Sequence, residues 1–71
     1  MNIIENLTKE TREELLKRPT AFKAYIACIE NHIDALTLYE NIELCEFYAC
    51  GTKAVFDNRV LINKALEERV R

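Results

Sequence analysis

Residues 19–40 read PTAFKAYIACIENHIDALTLYE. Within them Phe22, Ile26, Ile29, Ile33 and Leu36 follow at steps of four, three, four and three residues, the spacing of one α-helical face. The ladder predicts a helix from about residue 19 or 20 to Tyr39, with those five side chains against a core and Tyr25, Cys28, His32 and Tyr39 beside them. Pro19 suits a first helical turn and Thr20 can cap it. The pattern stops at Glu40, where the next ladder position is charged, and Asn41 can cap a following helix.

Upstream, a first helix is expected over about residues 8–17. Thr8 is its N-cap, Glu10, Glu13 and Glu14 lie in its early turns, and Lys17 and Arg18 lie at its end, each charge matching the helix dipole. Ile3, Ile4, Leu7, Leu15 and Leu16 supply its apolar stripe, and Pro19 ends it because the residue before a proline is biased away from helical geometry.

Downstream, residues 41–70 sort into two helical sides. Leu44, Phe47, Tyr48, Gly51, Ala54, Val55, Asn58, Leu61, Ile62, Ala65 and Leu66 fall on one, and Glu43, Glu46, Lys53, Asp57, Lys64 and Glu68 largely on the other. The sorting predicts a long helix, kinked or interrupted at Gly51, where a glycine costs about 1 kcal/mol relative to alanine. The alternative is a short β-hairpin at 53–62 turning at Asp57-Asn58, but an isolated hairpin is marginal and no third strand is in view. The expected fold is all-α: one domain over 1–71, a small three-helix domain built on an antiparallel helical hairpin.

Composition narrows the function classes. With 49% hydrophobic residues the chain is no disordered tail. No apolar run approaches the roughly 20 residues that span a bilayer. Residues 1–6 lack both a positive region and an apolar core, so no signal peptide and a cytoplasmic location are expected. Three cysteines make a poor disulfide framework and fit reduced thiols. Ser, Gln and Trp are absent while Ile, Asn, Lys and Glu abound, a bias suggesting an AT-rich genome such as that of a bacteriophage or a low-GC bacterium.

Reaction chemistry has few candidates. Without serine and with His32 as the lone histidine, a nucleophile–base pair reduces to Cys28 and His32, one helical turn apart. A boundary histidine beside a buried cysteine is the plainer reading, so no catalytic residue is expected. Cys28, His32, Cys45 and Cys50 could supply four zinc ligands, yet Cys45 and Cys50 point about 140° apart on a continuous helix, and neither pair has a short Cys-x-x-Cys spacing. Neither metal nor other cofactor is expected. Gly51 stands alone, so no glycine-rich phosphate loop exists.

Charge is the second organising feature. The net charge is −2, yet residues 24–52 carry Glu30, Asp34, Glu40, Glu43 and Glu46 and no Lys or Arg. In a helical hairpin turning near residue 40, Glu40, Glu43 and Glu46 form an acidic tip, while Lys17, Arg18 and Lys23 approach Arg59 at the opposite end. A nucleic-acid contact would use that basic pole, Lys17, Arg18, Lys23, Lys53 and Arg59, although an ordinary solvated face is the preferred reading of those charges. A helix-turn-helix centred on Gly51 fails at Phe47, where a small residue is needed, and at Asp57, where an apolar one is.

Apolar surface exceeds what so small a core absorbs, with Phe56 and Val60 outside the main stripe, and surplus of this kind commonly meets a partner. The expectation is a small non-enzymatic, regulatory interaction protein, of the kind a phage or mobile element uses to modulate a host factor. Asp34, Glu40, Glu43 and Glu46 would steer toward a basic surface, and Tyr39 and Tyr48 would supply the desolvated contact. The alternatives are a nucleic-acid-associated regulator and a self-assembling component. No membrane partner and no small-molecule substrate are expected.

Overall fold

In the computed structural model, which describes residues 3–70, the chain is helical throughout its regular structure. The elements in order are α1 (Lys9–Lys17), α2 (Pro19–Asn31), α3 (Ala35–Tyr39), α4 (Ile42–Phe47), α5 (Thr52–Asp57) and α6 (Arg59–Arg69). No strand occurs among the described residues, and 53–62 is helical apart from Asn58.

Helix starts follow their caps. The Thr8 hydroxyl accepts the Thr11 amide (3.3 Å), the Asp34 carboxylate accepts the Thr37 amide (2.8 Å) and the Asn41 side-chain oxygen accepts the Leu44 amide (3.1 Å). Pro19 occupies the first turn of α2. A second clamp closes α1 from far along the chain: one Glu68 oxygen accepts the Thr8 amide (3.0 Å) and the other accepts the Thr11 hydroxyl (2.9 Å). The last turn of α6 therefore satisfies donors that the first turn of α1 leaves open.

The segment expected as one helix from residue 19 to Tyr39 is two helices. His32 takes left-handed geometry (φ 56°), its amide donates to the Ile29 carbonyl (3.4 Å), and the Ile33 amide donates to the Cys28 carbonyl (3.1 Å). This is a Schellman motif, which ends a helix by reversing the chain. Asp34 caps a new helix two residues later. The long third segment likewise divides into α4, α5 and α6. Ala49 (φ 56°) closes α4 with the same hydrogen-bond pair, Ala49 to Glu46 (3.1 Å) and Cys50 to Cys45 (3.0 Å). The expected antiparallel hairpin of two long helices is thereby replaced by five shorter ones, α2 to α6.

Breaking the ladder changes what is buried. The face of α2 that disappears is Ala21, Ala24, Tyr25, Ala27 and Cys28, while Phe22, Ile26 and Ile29 are half-buried at its margins. Small side chains let neighbouring helices approach, and α2 is packed by α1, α3, α5 and α6. Two cores result, one on each side of α2. Leu7, Leu15, Ala21, Tyr25 and Ala65 form the first, and the Tyr25 hydroxyl donates to the Ile3 carbonyl (2.7 Å) at its edge. Ala24, Ala27, Cys28, Ala35, Leu38, Cys45, Cys50, Val55 and Ile62 form the second, and Leu66 packs against both. Burying a side chain such as Leu38 or Ile62 is worth about 1.5–3 kcal/mol.

Candidate protein-docking surface

The second core leaves part of each of α3, α4 and α5 exposed. On α4, Cys45 is buried, so Ile42, Glu43, Glu46 and Phe47 share an outward arc of about 140°. Ile42 is 64% exposed and Phe47 79%. The expectation that Phe47 joins the core is thus corrected. It needed a helix continuing past residue 48, and the Ala49 reversal removes that helix. Leu36, the last ladder member, is also outside, 47% exposed on α3. On α5, Phe56 meets Tyr39 of α3 with ring centroids 5.0 Å apart.

Glu40, Glu43 and Glu46 are exposed, and among the described residues no base pairs with any of them. The groove between α4 and the start of α5, a cavity of about 280 Å3, is lined by Ile42, Cys45, Glu46, Ala49, Gly51 and Thr52. Along α4, apolar side chains and uncompensated carboxylates therefore alternate.

The two other residues expected in this contact are engaged internally. Asp34 caps α3, and that hydrogen bond from the Thr37 amide holds its carboxyl below the usual range. The Tyr48 hydroxyl donates to Glu30 (2.7 Å) and accepts from Asn31 (3.2 Å), fastening the end of α4 to α2. The hydrogen bond to Glu30, first among its causes, pushes the Tyr48 phenol up. Leu36, Ile42 and Phe47, absent from the expected contact, stand exposed instead.

Of the five bases, Arg18 is brought beside Arg59, through the Asn58 that precedes it. Arg18 donates to Asn58 (2.9 Å) and pairs with Glu14 (3.7 Å), joining the α1–α2 junction to the α5–α6 junction. Arg59, beyond Asn58, lies 4.0 Å over the Phe56 ring and donates to the Phe56 carbonyl (2.8 Å). Because Phe56 touches Tyr39, Arg59 belongs to the same cluster as the residue preceding Glu40. Lys53 pairs with Asp57 (2.7 Å), while Lys17 and Lys23 are exposed on α1 and α2.

Cys28, His32, Asp34 and Arg69 line another hollow, of about 270 Å3. A thiol, an imidazole and a carboxylate around one space invite a catalytic test. Burial first, and then the Asp34 charge, push the Cys28 thiol up to about 12. At neutral pH its reactive thiolate is thus scarce. Asp34 is meanwhile engaged at the start of α3. Cys45 and Cys50 lie in the same core as Cys28, but among the described residues no three His, Cys, Asp or Glu side chains converge to hold a metal ion. No described helix is long and apolar enough to cross a membrane.

Comparison with protein-family models, curated proteins and solved structures finds no match to this chain.

Proposed function

We propose that this chain is a small non-enzymatic regulatory protein that docks on another protein through the outward side of α3, α4 and α5. The observation carrying this reading is the exposure of Ile42 and Phe47 on α4 amid Glu40, Glu43 and Glu46, none of which is neutralised among the described residues. Exposed aromatic and branched aliphatic side chains supply the desolvated centre of an interface, and carboxylates around them select a partner with a basic rim. Tyr39, supported by Phe56 and Arg59, extends the contact onto α3 and α5. The high proton affinity of the Cys28 thiol speaks only against Cys28 as a nucleophile.

The nucleic-acid reading has less behind it, because Arg18, Lys53 and Arg59 already hold Asn58 and Glu14, Asp57, and Phe56. Self-assembly would use the same exposed apolar side chains. The test is affinity capture from the native host using the wild-type chain, an Ile42→Asp/Phe47→Asp variant and a Glu40→Lys/Glu43→Lys/Glu46→Lys variant, each checked for helicity. The expected result is a protein with a basic surface retained by the wild type and lost from both variants. Retention by all three chains would overturn the reading. So would capture of nucleic acid or a second copy alone.

A further inference from the structure

The Schellman motif occurs twice among the described residues, with one chemical difference. It brings together the residue three positions before the helix cap and the residue two positions after it. At the end of α2 these are Cys28 and Ile33, an ordinary apolar contact. At the end of α4 they are Cys45 and Cys50, both free and both buried. The Cys50 amide donates to the Cys45 carbonyl at 3.0 Å, which with standard backbone dimensions holds the two Cα atoms at most about 7 Å apart. Disulfides usually join Cα atoms about 4.4–6.8 Å apart. The Cys50 side chain already turns toward its partner, its Sγ donating to the Cys45 carbonyl oxygen at 3.7 Å. The Cys45 Sγ donates to the Leu38 carbonyl (3.2 Å) and must leave that contact to meet Cys50.

We propose that Cys45 and Cys50 are an oxidisable pair, which a hydroperoxide converts to an internal disulfide that locks the end of α4. Access comes through the groove between α4 and α5, where Cys45 is a lining residue. The Cys45 sulfur attacks the peroxide O–O bond and becomes a sulfenic acid, while the peroxide is reduced to an alcohol or water. The Cys50 sulfur then attacks the sulfenic sulfur, forming the S–S bond and expelling hydroxide, which leaves as water with the Cys50 proton. Two thiols and one hydroperoxide thus give one disulfide, one alcohol or water, and one further water. Burial, and then the neighbouring Cys45, push the Cys50 thiol up, so the second step accelerates as pH rises.

The test is hydrogen peroxide treatment of the native, fully reduced chain, followed by mass spectrometry and peptide mapping without reduction. The expected product is an intramolecular disulfide between Cys45 and Cys50, formed equally well by Cys28→Ser and abolished in Cys45→Ser and Cys50→Ser. Hydrogen exchange on the oxidised wild-type chain supplies a readout independent of the variants' folding. There the Ala49 and Cys50 amides should exchange at least tenfold more slowly than in the reduced chain. Pairing that involves Cys28, pairing that requires denaturant, or exchange at these amides unaltered by oxidation would overturn the proposal.

Discussion

Tyr39 and Phe56 meet with their ring centroids 5.0 Å apart and their planes inclined by 47°, fastening α3 to α5 at the outer surface. The Arg59 guanidinium covers the Phe56 ring at 4.0 Å. A cation, two rings and the acidic residue Glu40 thus lie along one stretch of surface. Aromatic pairs in such tilted arrangements contribute about 0.5–1.5 kcal/mol beyond the area they bury. A double-mutant cycle of Tyr39→Ala and Phe56→Ala, followed by urea unfolding, should return a coupling in that range. Strict additivity would mean that the contact stabilises nothing.

The reversal after α4 is built on a residue poorly suited to it. Ala49 adopts φ 56°, a conformation that glycine takes without steric cost. Ala49→Gly should therefore stabilise the protein by about 0.5–1 kcal/mol. Gly51→Ala should do the opposite, costing at least about 1–2 kcal/mol, because Gly51 has positive φ (50°) with ψ 131°, outside the left-handed helical region. Beyond its chain neighbours a Cβ there would meet nothing within 4 Å, so the cost comes from the local backbone and not from tertiary packing. Urea midpoints of the two variants should move in opposite directions.

Acid should weaken the fold through two helix caps. The Thr8 amide holds the Glu68 carboxyl below its ordinary value of 4.5, and the Thr37 amide holds Asp34 below 3.8. A carboxyl depressed in the folded state contributes stability that is complete above its unfolded value and lost as pH falls through the folded one. Stability should accordingly be level from neutrality to about pH 5 and decline below about pH 4.5. Glu68→Gln should be less stable than wild type at pH 7 and lose less on acidification to pH 3. Parallel acid limits for the two chains would refute a role for the Glu68 cap.

Cys28 should resist labelling. With its thiol pushed up to about 12 inside the second core, iodoacetamide at pH 7.5 should modify it only through opening of the fold. Mass-spectrometric labelling rates should rise steeply across the urea transition. Rapid modification of the native protein would restore Cys28 and His32 as a reactive pair.

Much of the helical content was legible because its determinants are local. Thr8, Asn41 and Pro19 mark helix starts through their own chemistry, and 53–62 kept a helical sorting of apolar and charged residues. The interruptions were harder to read because neither His32 nor Ala49 is the glycine that usually announces a left-handed cap. Missing those reversals placed Leu36 and Phe47 inside and set Arg59 far from Tyr39. The ladder also drew attention to large residues, while the buried face of α2 carries three alanines, whose small size matters only once a neighbouring helix is present. Of the candidate contact, Glu40, Glu43 and Glu46 were readable from the charge distribution. Ile42 and Phe47 were not, since their exposure depends on where α4 stops.

Stopped-flow association with the captured partner across a salt series weighs the docking proposal against its rivals. For the wild-type chain the association rate should fall as ionic strength rises, because Glu40, Glu43 and Glu46 attract a basic surface. The Glu40→Lys/Glu43→Lys/Glu46→Lys chain should associate more slowly at low salt and show a flat or reversed dependence. Superimposable rates and salt slopes for the two chains would contradict it.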